Sequence, residues 1–209
     1  MRFLWILLTL LTLPLSAQIQ ERKDGQIVAS VHEQMLQHFC PQEQDNWCWA
    51  ACAQMVLAYH EMPMSQRTIA KLVTGTTRDR GASANEMVAA LDGFQKGKRQ
   101  VACRADTLIN LRDVIGEIQH GNPLIIGMAF QGRQHAMVLT EIQFRKDATH
   151  PDKINPTAVV LLDPSRKYLK KRMFTWPEFY RRVNMTLHLQ ADIPAQQQSH
   201  NLNGQEREK

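Results

Sequence analysis

Three side chains in this sequence could together attack a carbonyl group: Cys48 in "NWCWAA" (46–51), His135 in "GRQHAMVL" (132–139) and Asp163 in "LLDPS" (161–165). A thiol attacks well only as thiolate, a form favoured at a helix N-terminus or beside an imidazolium. An imidazole can take the thiol proton and later return it to a leaving group. A carboxylate hydrogen-bonded to the ring fixes its tautomer and favours its charged form. Each residue alone has an ordinary reading. A cysteine in an Ala-rich helix is usually a small buried hydrophobe, and Asp-Pro after a strand is usually a turn. The joint order Cys, His, Asp, across a change from helical to strand-like sequence, favours chemistry.

The elements that must position these residues follow from periodicity. "CWAACAQMVLAYH" (48–60) reads as a helix, with Trp49, Cys52, Ala53, Val56 and His60 at helical spacing and Asp45 or Asn46 as its cap. Cys48 then stands at the helix start, where unpaired N–H groups and the positive dipole end converge. Trp47 and Trp49 are expected to wall the thiol from water on one side and so to border bound substrate. "SQRTIAKLVTG" reads as a helix between Ser65 and Gly75, and "SANEMVAALDG" carries the capping box Ser83-x-x-Glu86. After a strand at "QVACRA", "LINLRDVIGEIQHG" is a further helix ending at Gly121. The second half turns strand-like at 123–130, 135–144 and 157–162, with "QGRQ" as a hairpin signal between the first two. "TWPEFYRR" reads as a short helix and "MTLHL" (185–189) as a last strand. The fold class is α+β, a helical lobe packed on an antiparallel sheet. If the strands carrying His135 and Asp163 are neighbours, ring and carboxylate meet at adjacent strand ends.

Bulk properties set the context. The chain has 209 residues and is 44% apolar, enough for a core that needs no metal or disulfide lattice. Its formal net charge of +5 is concentrated in "RKYLKKR" (166–172) and "RR" (181–182), read as a solvated face. No nucleic-acid motif accompanies it, and no nucleic-acid partner is expected. "MRFLWILLTLLTLPLSAQ" has the order of a secretory signal peptide cut after Ala17, with an apolar run too short to span a bilayer. The expected product is secreted or periplasmic, with no stable membrane insertion after signal removal. The expected layout is signal peptide 1–17, lead-in segment 18–38, catalytic domain 39–191 and disordered polar tail 192–209. In an oxidising compartment a bridge between two of Cys40, Cys52 and Cys103 is expected. Cys40–Cys103 is favoured because Cys52 should lie inside a helix beside Cys48.

"QEQDNWCWAA" (42–51) resembles the active-site segment of papain-like cysteine proteases, in which a glutamine precedes a Cys-Trp-Ala run by six residues. "GRQHAMVL" and "LLDPS" resemble the His strand and the strand ending in Asp-Pro of bacterial members: staphopain-like proteases, plant-pathogen effector proteases and bacteriocin-leader (double-glycine) peptidases. The likeness spans about 40 to 190 and implies a papain-like two-lobe fold. It implies Cys48 as nucleophile, His135 as general base and then acid, and Asp163 as the group orienting the ring, where papain has asparagine. It also implies that Gln42 donates its side-chain amide to the oxyanion together with the Cys48 N–H, with Gln44 as the alternative donor. Plant-type papains carry Gly and a second Cys just before the nucleophile. Here Asp45-Asn46-Trp47 stand there, so papain's disulfide at that place does not carry over. Only about 20 residues separate the expected cleavage site from the motif, so the enzyme is born active or a separate inhibitor protein restrains it.

The leading function is therefore a cysteine-type peptidase acting on peptide or protein substrates without cofactor or metal. Other amide acyl transfer, such as cell-wall hydrolysis, transglutamination or deamidation, shares the same attack. A non-catalytic peptide-binding relative is the alternative outside enzymology. Metal or haem binding through Cys48, Cys52 and His60 lacks a second ligand pair.

Overall fold

The computed structural model describes residues 17–192, apart from 131, 148, 151, 152 and 169. Residues 1–16 of the expected signal peptide (1–17) and 193–209 of the expected polar tail (192–209) lie outside the described residues. Among the described residues, chain order gives β1 (Gln18–Glu21), β2 (Ile27–Ser30), α1 (His32–Leu36), α2 (Cys48–Tyr59), α3 (Gln66–Thr74) and α4 (Ala84–Leu91). There follow β3 (Gln95–Lys96), β4 (Arg99–Asp106), α5 (Leu111–Gln119), β5 (Leu124–Phe130) and β6 (Arg133–Lys146). The chain closes with β7 (Ile154–Leu162), β8 (Lys171–Thr175), α6 (Trp176–Arg182) and β9 (Val183–Asp192).

Several helix boundaries follow the local chemistry read from the sequence. Ser65 caps α3 by accepting the Thr68 N–H, and Gly75 ends it in the left-handed region at φ 69°. Ser83 and Glu86 form the reciprocal capping box of α4. The start of α2 differs from expectation. Its cap is Trp47, with no side-chain hydrogen bond, rather than Asp45 or Asn46. Among the described residues, no cap side chain therefore occupies the first turn's N–H groups on the thiol's own helix.

The strands form one antiparallel sheet in the order β1-β2-β6-β5-β9-β4-β3, with β7 on β6 and β8 on β7. Long β6 organises it. Leu139 pairs with both Leu124 and Leu161, and Ile142 with both Ala29 and Val159. So β5 and β2 share one edge of β6, one beyond the other, and β7 takes the opposite edge. Both faces are covered, and the strands alternate between two cores. Ile125, Ala136, Val138 and Leu187 face a cluster with Met35, Met55, Val56, Ile69 and Met87 from α1 to α4. Leu124, Ile126, Met137 and Leu139 face a second cluster with Val114, Ile118 and Phe179 from α5 and α6. The layout is α+β as expected, with α5 and α6 covering the sheet face opposite the helical lobe. Residues 18–38, read as a lead-in, supply β1, β2 and α1, and β2 hydrogen-bonds into the sheet through β6.

The expected disulfide is not formed: all four cysteines are free thiols. Cys52 is fully buried inside α2, and Cys103 sits on β4 with its N–H on the Asp92 carboxylate. Cys40 lies against the first turns of α2, 3.8 Å from the Ala51 carbonyl. Each is engaged with its own surroundings rather than with another sulfur.

Candidate active site

Helix α2 packs across β6 so that its first residue meets the beginning of that strand. The Ala136 N–H donates to the Cys48 sulfur at 3.4 Å. Because Val138 pairs with Leu162, the end of β7 delivers Asp163 beside the beginning of β6. The His135 Nε2–H donates to Asp163 Oδ1 at 2.7 Å, and the ring also hydrogen-bonds the Cys48 side chain. With Nε2 on the carboxylate, Nδ1 is the nitrogen left for the thiol. The three residues singled out in the sequence are thus one contiguous chain of contacts, drawn from a helix start and two strand ends 115 positions apart at most.

The electrostatics follow from burial and pairing. Burial alone pulls the His135 imidazole down from its usual 6.5. The hydrogen bonds to Asp163 and Cys48, with the charges of both, outweigh it and push the ring to about 9. Asp163 is fully buried, and a buried carboxylate has to be compensated. Its Oδ1 also accepts the Ser165 N–H at 2.8 Å, and the Arg172 guanidinium stands 3.5 Å from Oδ2, an ion pair too long for a hydrogen bond. Arg172 was not singled out in the sequence, where "RKYLKKR" reads as a solvated face. Most of that segment is exposed, as read, and it also borders the site: Arg166, Lys167 and Tyr168 line the cleft, and Lys170 lies 4.1 Å over the Phe39 ring. The signal available in sequence was indirect, since a buried aspartate needs a nearby cation.

The other thiols are set apart from this chemistry. Burial pushes Cys40 to about 11, Cys103 to about 12 and Cys52 well above the ordinary thiol value. Of the four cysteines, Cys48 alone lines the cleft, a cavity of about 680 Å³. One wall carries Glu43, Gln44 and Asp45, another Gly81, Ala82 and Ala84, and another Arg133 and Gln134.

The two tryptophans have different places. Trp49 lines the cleft, whereas Trp47 is 1% exposed and does not border it. Both indoles fasten one loop: Trp47 Nε1–H donates to the Arg78 carbonyl and Trp49 Nε1–H to the Arg80 carbonyl, each at 3.2 Å. The Asn46 N–H adds a bond to Asp79 Oδ1 at 2.8 Å. Residues 46, 47 and 49 therefore tie the nucleophile's turn to residues 78–80, which lead into the wall at Gly81 and Ala82. This accounts for indoles on both sides of the thiol, although only Trp49 lines the cleft.

Gln42 lines the cleft beside Cys48, and its own N–H donates to the Pro164 carbonyl at 2.9 Å. Its side-chain Nε2 donates to the Gln44 and Asp45 carbonyls at 2.8 and 2.7 Å. Exchanging amide nitrogen and oxygen would set three oxygens against one another, so this orientation is the stable one. Its Oε1 is buried without a hydrogen-bond partner. The amide expected at the oxyanion position is thus engaged within its own loop. Gln44, the alternative donor, is exposed along the same wall.

With this geometry in place, comparison with known proteins decides the family. The model of the papain-like cysteine protease AvrRpt2 family matches residues 30–183. The chain belongs to that family. It is a cysteine-type peptidase, and peptide or protein substrates follow from the family. The peptidase domain of Streptococcus ComA, described as a bifunctional ABC transporter involved in a quorum-sensing pathway, shares its fold. That similarity covers 72% of this chain and 96% of that one at 15% identity, with a TM-score of 0.51. The peptidase domain of Streptococcus mutans ComA aligns over 73% of this chain and 98% of that one, at 13% identity and a TM-score of 0.40. No curated protein sequence matches the chain.

Proposed function

We propose that this peptidase cleaves peptide bonds through an acyl-enzyme on Cys48, with His135 as proton carrier, Asp163 as its orienting group and an oxyanion site at the Cys48 N–H and Gln42. The observation that carries the reading is the continuous contact Cys48–His135–Asp163 at the floor of an open cleft. In the reactive pair the proton sits on His135, and the sulfur is thiolate. The thiolate adds to the scissile carbonyl, and negative charge moves to the carbonyl oxygen. Cys48 is the first residue of α2, so its N–H has no acceptor four residues back and can face that oxygen. One Gln42 N–H turns from its loop carbonyl to the oxyanion as the second donor. His135 then gives its proton to the leaving amine as the C–N bond breaks. Water attacks the thioester, its proton passes to the ring, and the acid leaves with the thiol restored.

Purified protein under reducing conditions should hydrolyse denatured casein into peptides with new amino termini, read by mass spectrometry. Intact casein, or release of ammonia without new termini, would replace peptidase action with another amide reaction. Gln42→Ala should lower kcat about 10²- to 10³-fold with little change in KM, the scale of losing one oxyanion donor. An unchanged kcat would assign the oxyanion site elsewhere.

We also propose that the Phe3–Leu13 run followed by Ser16-Ala17 directs export, by its order of charge, apolar run and small residues. N-terminal sequencing of the protein recovered outside the cytoplasm should begin at Gln18. An N-terminus retaining Arg2 would contradict it.

A further inference from the structure

The loop that carries Gln42 is held by a side chain that the peptidase motif does not include. Gln66 is the first residue of α3, yet it is 1% exposed, unusual for an amide at a helix start. Its Oε1 accepts the Glu43 N–H at 2.8 Å, and its Nε2 donates to the Pro41 carbonyl at 2.9 Å. Nε2 also lies 3.9 Å from the Cys40 sulfur. A primary amide presents donor and acceptor side by side, so it can pair with one backbone carbonyl and one backbone N–H as a neighbouring strand does. Here it takes the carbonyl before Gln42 and the N–H after it. The Gln42 N–H itself is bound on the other side by Pro164, the residue after Asp163. Gln42 is thus clamped between α3 and the turn that carries Asp163.

We infer that Gln66 is a positioning residue for the oxyanion site, fixing the Pro41–Glu43 backbone so that Gln42 and the start of α2 keep their places around the tetrahedral intermediate. This rests on the proposed role of Gln42. It gives the loop an anchor made of two hydrogen bonds, in a chain whose nearby Cys40 is a free thiol. The Gln66 side chain is buried and both bonds are part-buried, so losing the amide removes a backbone donor's and an acceptor's partner and frees the loop to shift. A displacement of about 1 Å at a site of this kind can cost about a hundredfold in rate.

The test uses the full chain and the peptide that wild type cleaves fastest in a quenched-fluorescence library. Gln66→Met, which keeps length and volume, should lower kcat about 10- to 100-fold with KM nearly unchanged. Alkylation of Cys48 by iodoacetamide forms no oxyanion, so its rate should stay at the wild-type value. In a Gln42→Ala background, Gln66→Met should cost little more, because Gln66 acts through Gln42. Should Gln66→Met fail to fold, the same readouts are taken on Gln66→Glu, which keeps the acceptor for Glu43 and replaces the donor to Pro41 by a carboxylate oxygen that repels that carbonyl. A wild-type kcat in the variant, equal losses in kcat and alkylation, or full additivity with Gln42→Ala overturns the inference. Failure of the peptidase reading would show separately, as wild type that cleaves no peptide in the library.

Discussion

Cys48→Ala abolishes turnover while leaving the fold intact: this is the expected result of removing the sulfur from the head of α2. The loss should be about six orders of magnitude in kcat, the scale seen when a triad protease loses its nucleophile. No neighbouring thiol can substitute, since Cys40, Cys52 and Cys103 lie off the cleft and burial disfavours their thiolates. Stability should change by less than about 1 kcal/mol, because alanine is the best helix former and the sulfur is only half-buried. Thermal unfolding by circular dichroism checks the fold, and peptide hydrolysis checks the rate. Wild-type turnover in this variant would remove the assigned nucleophile.

His135→Ala should cost a comparable factor, and the wild-type pH profile should show why. The ring's proton affinity is raised to about 9, so the imidazolium that protonates the leaving amine persists through neutral pH. Activity should fall as pH rises through about 9. Stability follows the same sign. The fold binds this proton more tightly than the unfolded chain does, so the contribution is complete below about 6.5 and is lost as pH rises through about 9. Asp163→Ala removes a hydrogen bond and a charge that raise the ring's affinity and leaves the burial that lowers it. The alkaline limb should move to lower pH, with a smaller loss of kcat than His135→Ala gives. Asp163→Asn, which keeps an acceptor for Nε2–H, should fall between wild type and alanine. An alkaline limb that stays put in Asp163→Ala would dissociate the carboxylate from the ring's titration.

The sequence was most legible where one physical rule acts locally. Helical spacing after Cys48, the capping box at Ser83 and the strand-like run at 135–144 each depend on near neighbours, and each element formed. Placement that depends on distant partners was not legible. Trp47 and Trp49 both flank Cys48 in sequence, but only the fold decides that Trp47 is core and Trp49 lines the cleft. The strand β8 hides in a basic run, because Arg172 is drawn inward by a buried carboxylate nine positions earlier rather than by its own pattern. Gln66 carries no local mark of its role: at a helix start an amide is unremarkable until its partners at Pro41 and Glu43 are known. The covering of the second sheet face by α5 and α6 likewise depends on connections that periodicity does not encode.

The central claim, that the fold makes Cys48 reactive by setting it against His135, is tested most directly by mapping the adduct of a peptidyl fluoromethylketone by mass spectrometry. The reaction is run under reducing conditions at neutral pH on wild type and His135→Ala. One adduct, on Cys48, is expected in wild type and is lost in His135→Ala, with Cys40, Cys52 and Cys103 unmodified in both. Labelling of another cysteine at a comparable rate, or of Cys48 at an unchanged rate without His135, would contradict it.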